Sequence, residues 1–138
     1  MERAGQTPPD QSSPAVYGRQ PMSPWCLALA VLMVLAGVMH FVAPAAYARI
    51  VPRWLPAPRT LVAVSGVCEI LGGLGLLHPS TRPWAAWGLI ALFIAVFPAN
   101  VNMAINRIGF GRKPPPSWLL WARLPLQGVL IAWAFAFT

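Results

Sequence analysis

Apolar positions along the chain gather into four runs, about residues 25–43, 60–77, 84–104 and 118–137, with short polar or proline-rich segments between them. Each run is near the ~20 residues that carry a helix across a hydrocarbon core ~30 Å thick. None alternates with a period of two, so the backbone satisfies itself as helix and not as a barrel. The pattern predicts an all-α fold, a four-helix transmembrane bundle over residues 23–138. Residues 1–22 are polar and rich in Pro, Gln and Ser, which predicts a disordered tail. No basic start runs straight into an apolar core there, so the tail does not read as a signal peptide. Helix starts are marked as well. Ser23 stands as N-cap before Pro24, Pro83 opens the third run, and "PPPS" opens the fourth with Ser117 as its N-cap.

Composition strengthens this picture. The 138 residues are 57% hydrophobic and only 9% charged, against roughly 25% charged in a soluble domain, and the mean hydropathy is +0.60. Too little polar surface remains to cover a water-soluble globule. The net charge of +7 does not form the clustered patch that nucleic acid requires, and nucleic acid is set aside as a partner. Arg49, Arg53, Arg59, Arg107, Arg112 and Lys113 lie in the 1–2 and 3–4 connections, and Arg3, Arg19 and Arg82 on the opposite side. The excess places the connections in the cytoplasm and both termini outside, in a multi-pass protein of the cell (inner) membrane. Most tryptophans, Trp54, Trp84, Trp87, Trp118 and Trp121, stand at run ends as interface anchors. Cys26 and Cys68 fall at different depths of separate runs, which argues against a disulfide between them.

One residue breaks the apolar pattern. Glu69 lies in the middle of "LVAVSGVCEILGGLGLL", residues 61–77, and is the only acid after Asp10. An ionised carboxylate at that depth needs shielding or a counter-charge. Measured by helix rise from the connection side, His40 is about one turn in, Arg123 ~8 Å and Glu69 ~14 Å. Asn100, Asn102 and Gln127 occupy the same half. Helical spacing puts Ser65, Glu69 and Gly72 on one stripe flanked by Gly66 and Gly73, and Met33, Ala36, Gly37 and His40 on another. In the third run Gly88, Ala91, Ala95, Ala99 and Asn102 form the small-residue face, although Pro98 frees the carbonyl of Ile94 and disturbs the wheel. The expected arrangement pairs Glu69 with Arg123 inside the bundle, with His40 as a second proton partner. The pocket candidates are His40, Ser65, Glu69, Asn100, Arg123 and Gln127, and Glu69 and His40 are the candidates for chemistry. The alternative is a structural pair that fixes helix register. One His, one Glu and scattered amides lack metal-ligand spacing, and His78 belongs to the other side.

These residues resemble the DoxX family of small four-helix membrane proteins. The resemblance runs from about Trp25 to the C-terminus, through "GVMHFVAPAAYARIVPRWLP", "SGVCEILGGLGLL", "AAWGLIALFIAVFPANVNMA" and "RLPLQGVLIAWA". It departs at Arg53, where a second proline often precedes the tryptophan. It favours Asn100 over Asn102 as the polar residue of the third run. The family takes its name from a subunit associated with a quinone-linked sulfur oxidoreductase and most members have no established activity, so the resemblance implies a membrane location and four-helix architecture. The first functional hypothesis is a membrane redox subunit that binds quinone and works with a redox partner protein. No intrinsic haem, flavin or iron–sulfur signature is present. A non-catalytic scaffold and a small proton-coupled transporter are the competing functions, and four spans are few for transport without homo-oligomerisation. Reporter fusions test the orientation: an enzyme active only outside the cytoplasm should work at either terminus and fail in the segment 51–57.

Overall fold

A computed structural model describes residues 22–109 and 115–138; apart from Met22, the tail expected over 1–22 lies outside the described residues. The order is α1 (Pro24–Val42), α2 (Pro44–Ile50), α3 (Pro58–Leu76), α4 (Arg82–Ile105) and α5 (Ser117–Phe135). α1, α3, α4 and α5 are the predicted spans, each long and apolar enough to cross a membrane. At most 28% of each apolar window is buried within the protein, so lipid must cover the rest. α2 is the addition. The first connection is not a plain loop, because Pro44 starts a two-turn helix straight after Ala43 ends α1.

Proline falls in the first turn of α1, α2, α3 and α4, where its missing N–H has no intrahelical partner to lose. Ser23 occupies the N-cap position of α1 and serves it through its carbonyl, which accepts from Cys26 and Leu27, and not through its hydroxyl. Pro116, not Ser117, is the N-cap of α5. At its other end α3 is closed by side chains. Arg82 Nε donates to Leu76 O at 3.0 Å and Thr81 Oγ1 to Gly75 O at 2.7 Å, which satisfies carbonyls and sets a cation at the negative end of the helix dipole. α4 ends in a Schellman turn. Arg107 takes a left-handed conformation (φ 50°), and the Ile108 N–H returns to Met103 O at 3.1 Å.

α1 and α3 are the most extensively packed pair, α4 joins α3 to α5, and α2 lies across α3 and reaches α4. The α1–α3 contact is backbone to backbone. A Cβ at Gly37 would lie 2.6 Å from Gly66 O, and one at Gly73 would lie 2.7 Å from Ala30 O. These matched levels, 37 with 66 and 30 with 73, make the two helices antiparallel and place small residues where membrane helices associate closely. On α4 the first part of the expected small face is turned outward, while Ala99 and Asn102 are half-buried. Gly88, Ala91 and Ala95 are exposed, and Ala86, Leu89, Ile90 and Phe93 fill the core. The reason is Gly72 and Gly75 on α3, whose missing side chains leave room for Leu89 and Ala85. The small residues of this contact belong to α3, and α4 supplies the bulk.

Two apolar clusters result. One holds Cys26, Leu29, Met33, Leu76, Leu89 and Phe93 with Ala134; the other holds Ile50, Met103, Ala104 and Leu120 at the α2 end. On α4 and α5, Asn100 and Gln127 fall between them. Gly37→Ala should lower the stability of the detergent-solubilised protein by about 1–3 kcal/mol, because its new methyl meets main-chain atoms that cannot step aside. Gly128→Ala, where a Cβ meets nothing within 4 Å, should stay within about 0.5 kcal/mol of wild type. Thermal unfolding of the two variants in one detergent compares them.

Candidate functional site

Val62, Gly66, Glu69, Gly73 and Leu76 form the buried line of α3. Their alternating steps of four and three residues keep one face inward. The expected flank, Gly66 and Gly73, is thus the centre, and Ser65 and Gly72 are half-buried beside it. Gly66 and Gly73 touch α1 and Gly72 touches α4, so Glu69 sits between α1 and α4. It is 8% exposed, and its Oε2 is buried without a hydrogen-bond donor.

The basic neighbour of Glu69 is His40, whose Nδ1 lies 3.3 Å from Oε2. Helical side chains lean toward their own N-terminus. In antiparallel neighbours that tilt carries His40 and Glu69 toward each other, although their Cα atoms sit at different levels. The His40 proton goes elsewhere: Nδ1 donates to Ala36 O, one turn back, at 2.9 Å. A carbonyl only accepts, so this contact places the hydrogen on Nδ1 and leaves Nε2 as an acceptor in the neutral ring. Glu69 therefore has a close imidazole and an unmet acceptor.

The expected Glu69–Arg123 pair is replaced. Among the described residues Glu69 forms no ion pair with Arg123, and Arg123 Nη1 reaches Met103 Sδ at 3.7 Å. Register gives the reason. Gly72 opposes Leu89 and Gly75 opposes Ala85, which sets Glu69 near Leu92, whereas the Arg123 contact lies at Met103. That is roughly three turns farther along α4, and the arginine leans toward the N-terminus of its own helix.

Asn100 and Gln127 form a second polar group. Asn100 Nδ2 donates to Gln127 Oε1 at 2.7 Å, and Gln127 Nε2 donates to Phe93 O. Gln127 is thus held at both ends of its amide and fastens α5 to α4 beside Pro98, where the helix lacks one backbone donor. The acceptor is the carbonyl preceding the Ile94 carbonyl expected to be free. Asn102 serves another purpose. Its Nδ2 donates to Ile50 O at 2.8 Å and caps the last turn of α2. The six expected pocket residues thus divide into His40 with Glu69, Asn100 with Gln127, Arg123 toward Met103, and Ser65 half-buried at the margin.

Tyr47 is the site residue that the pattern of runs missed. It stands seven residues after His40 on α2, and its ring stacks on the imidazole with centroids 4.0 Å apart and planes 27° apart. The signal was present as a proline-bounded heptapeptide, "PAAYARI", but a segment this short carries no periodicity to separate helix from loop. Burial pushes the Tyr47 phenol above its ordinary value near 10, with a smaller push from the Glu69 carboxylate and an opposing pull from Arg123. Among the described residues no three His, Cys, Asp or Glu side chains come together. Two surface grooves lie away from Glu69, one at the α1–α2 elbow and one between Trp25 and Trp133.

In a Tyr17→Phe background, phenolate absorbance should show Tyr47 titrating above 10. Glu69→Gln should move the midpoint down, because a negative neighbour is removed, and Arg123→Gln should move it up. An unmoved midpoint in both variants would contradict this placement of Tyr47.

No curated protein and no solved structure matches the chain. A family model described as a domain of unknown function, DUF8561, matches residues 29–138. That stretch holds four-fifths of the chain and every residue of the site, and the protein belongs to the DUF8561 family.

Proposed function

We propose that the protein is a membrane subunit of a quinone-linked redox system, with the quinone headgroup held at His40 and Glu69. The observation that carries the reading is Glu69 Oε2, a carboxylate oxygen buried within a span with no donor directed at it. A buried acceptor without a donor costs free energy unless a ligand or proton satisfies it. The hydroxyl of a reduced quinone is a donor of the right kind, and the His40 ring, whose Nδ1–H is given to Ala36 O, offers Nε2 as an acceptor. When bound, a quinone supplies two-electron chemistry. The chain supplies orientation through His40, a proton acceptor at Glu69, and apolar layers on either side that keep water out. Electrons pass between this subunit and a partner redox protein. The resemblance to the DoxX family supports the same assignment, and the excess of basic residues in the connections supports a place in the cell membrane with cytoplasmic connections and external termini.

A scaffold is the second reading, and the doubly fastened Gln127 favours it. A polar clasp between α4 and α5 holds helices in register without any ligand. Quenching of the intrinsic tryptophan fluorescence by a short-chain quinone separates the two. Wild type should bind, and Glu69→Gln and His40→Phe should each weaken binding about tenfold or more, the loss of one hydrogen bond to a buried group. If no quinone binds and Gln127→Leu lowers the unfolding temperature, the scaffold reading takes over. Glu69-dependent uptake by proteoliposomes would instead identify a transporter.

A further inference from the structure

α2 is the element that the apolar pattern did not require, and its placement has a consequence for Glu69. It crosses the connection-side end of the bundle, packed on α3 and reaching α4. Two of its side chains turn inward. Ile50 is buried against Met103, Ala104 and Leu120, and Tyr47 lies flat on His40. A tether from another helix holds the segment down, Asn102 Nδ2 to Ile50 O. The tether is buttressed in turn, since Asn106 Nδ2 donates to Asn102 Oδ1 at 2.7 Å.

The flank of the bundle is built differently. α1 packs on α3 and α5 packs on α4, whereas the ring contact between the first and last spans, Trp25 with Trp133, lies at the end away from α2. Elsewhere α1 and α5 pack little on each other, and Val38, Met39 and Val42 on α1 and Leu126 and Val129 on α5 are exposed apolar side chains that hydrocarbon would cover in a membrane.

We infer that α2 is a lid that closes the His40–Glu69 site to water, with Tyr47 as its sealing and positioning residue, so that a ligand reaches Glu69 from the bilayer. This deepens the reading of Glu69 as a ligand site and narrows the ligand to a membrane-dissolved molecule. Tyr47 has two tasks. Its ring covers the imidazole on the aqueous side, and the stack fixes the rotation of His40 so that Nδ1 stays on Ala36 O beside Glu69. A phenylalanine performs both, because they use the ring face and not the hydroxyl.

Carbodiimides test the lid without any quinone. Open membrane sheets carrying the full-length protein are treated with a lipophilic or a water-soluble carbodiimide, and modification of Glu69 is followed by peptide mass spectrometry. The lipophilic reagent should modify wild-type Glu69 at least about tenfold faster. Tyr47→Ala should bring the water-soluble reagent to a comparable rate, and Tyr47→Phe should keep the wild-type ratio. Asn102→Ala, which releases the tether and leaves the stack residues in place, should also raise the aqueous rate and stands in if Tyr47→Ala does not fold. Equal rates with both reagents in wild type, or an aqueous rate unmoved in the folded lid variants, overturn the inference. Quinone quenching in the same membranes separates this from the function proposed above: quinone that still binds a wild type open to the aqueous reagent removes the lid and keeps the ligand site.

Discussion

The contact on which the site depends is the close approach of α1 and α3 at their glycines. Gly37, Gly66 and Gly73 let the two main chains meet where any side chain would hold them apart. Once they are that close and antiparallel, the N-terminal lean of helical side chains brings His40 and Glu69 together across the interface. The pair is thus a by-product of backbone packing. A wider interface would separate the imidazole from the carboxylate by the added distance.

That contact also decides how polarity is distributed in a protein with little of it. Apolar clusters occupy both ends of the bundle, and His40, Glu69, Asn100 and Gln127 lie between them. Within this layer the amides satisfy one another and the main chain, but the carboxylate keeps an oxygen without a donor. The fold binds Gln127 at both ends and leaves Glu69 Oε2 unmet, so one polar group fastens helices and the other keeps an open acceptor, which supports the ligand site proposed above. Buried polar groups are retained at such cost mainly for register or for chemistry.

α2 ties these parts together. It is too short to be stable alone, and it exists through Ile50 in an apolar cluster, Asn102 on its final carbonyl and Tyr47 on His40. Three helices therefore define the surroundings of one imidazole: α1 carries it, α3 faces it with a carboxylate, and α2 covers it. Arg123, which depth alone made the natural counter-charge, is directed to Met103 at the loop end.

What the chain could declare by itself was anything set by local composition and period. Four apolar runs of bilayer length fixed four spans to within about two residues, and the helix period placed Glu69, His40 and Gln127 on inward faces. Prolines marked where helices start, because a missing N–H matters least there. The tertiary structure alone decided partners. Which of two basic side chains meets Glu69 depends on the register between helices, and register is set by where glycines allow contact, a property of pairs of helices and not of one. For the same reason Gly88, Ala91 and Ala95 of α4 turned outward once glycines on α3 had supplied the space, and Asn100 and Asn102 went to different helices. Tyr47 and α2 were invisible for a related cause. Seven residues hold no period, and they become a helix only when three others give them something to lie on.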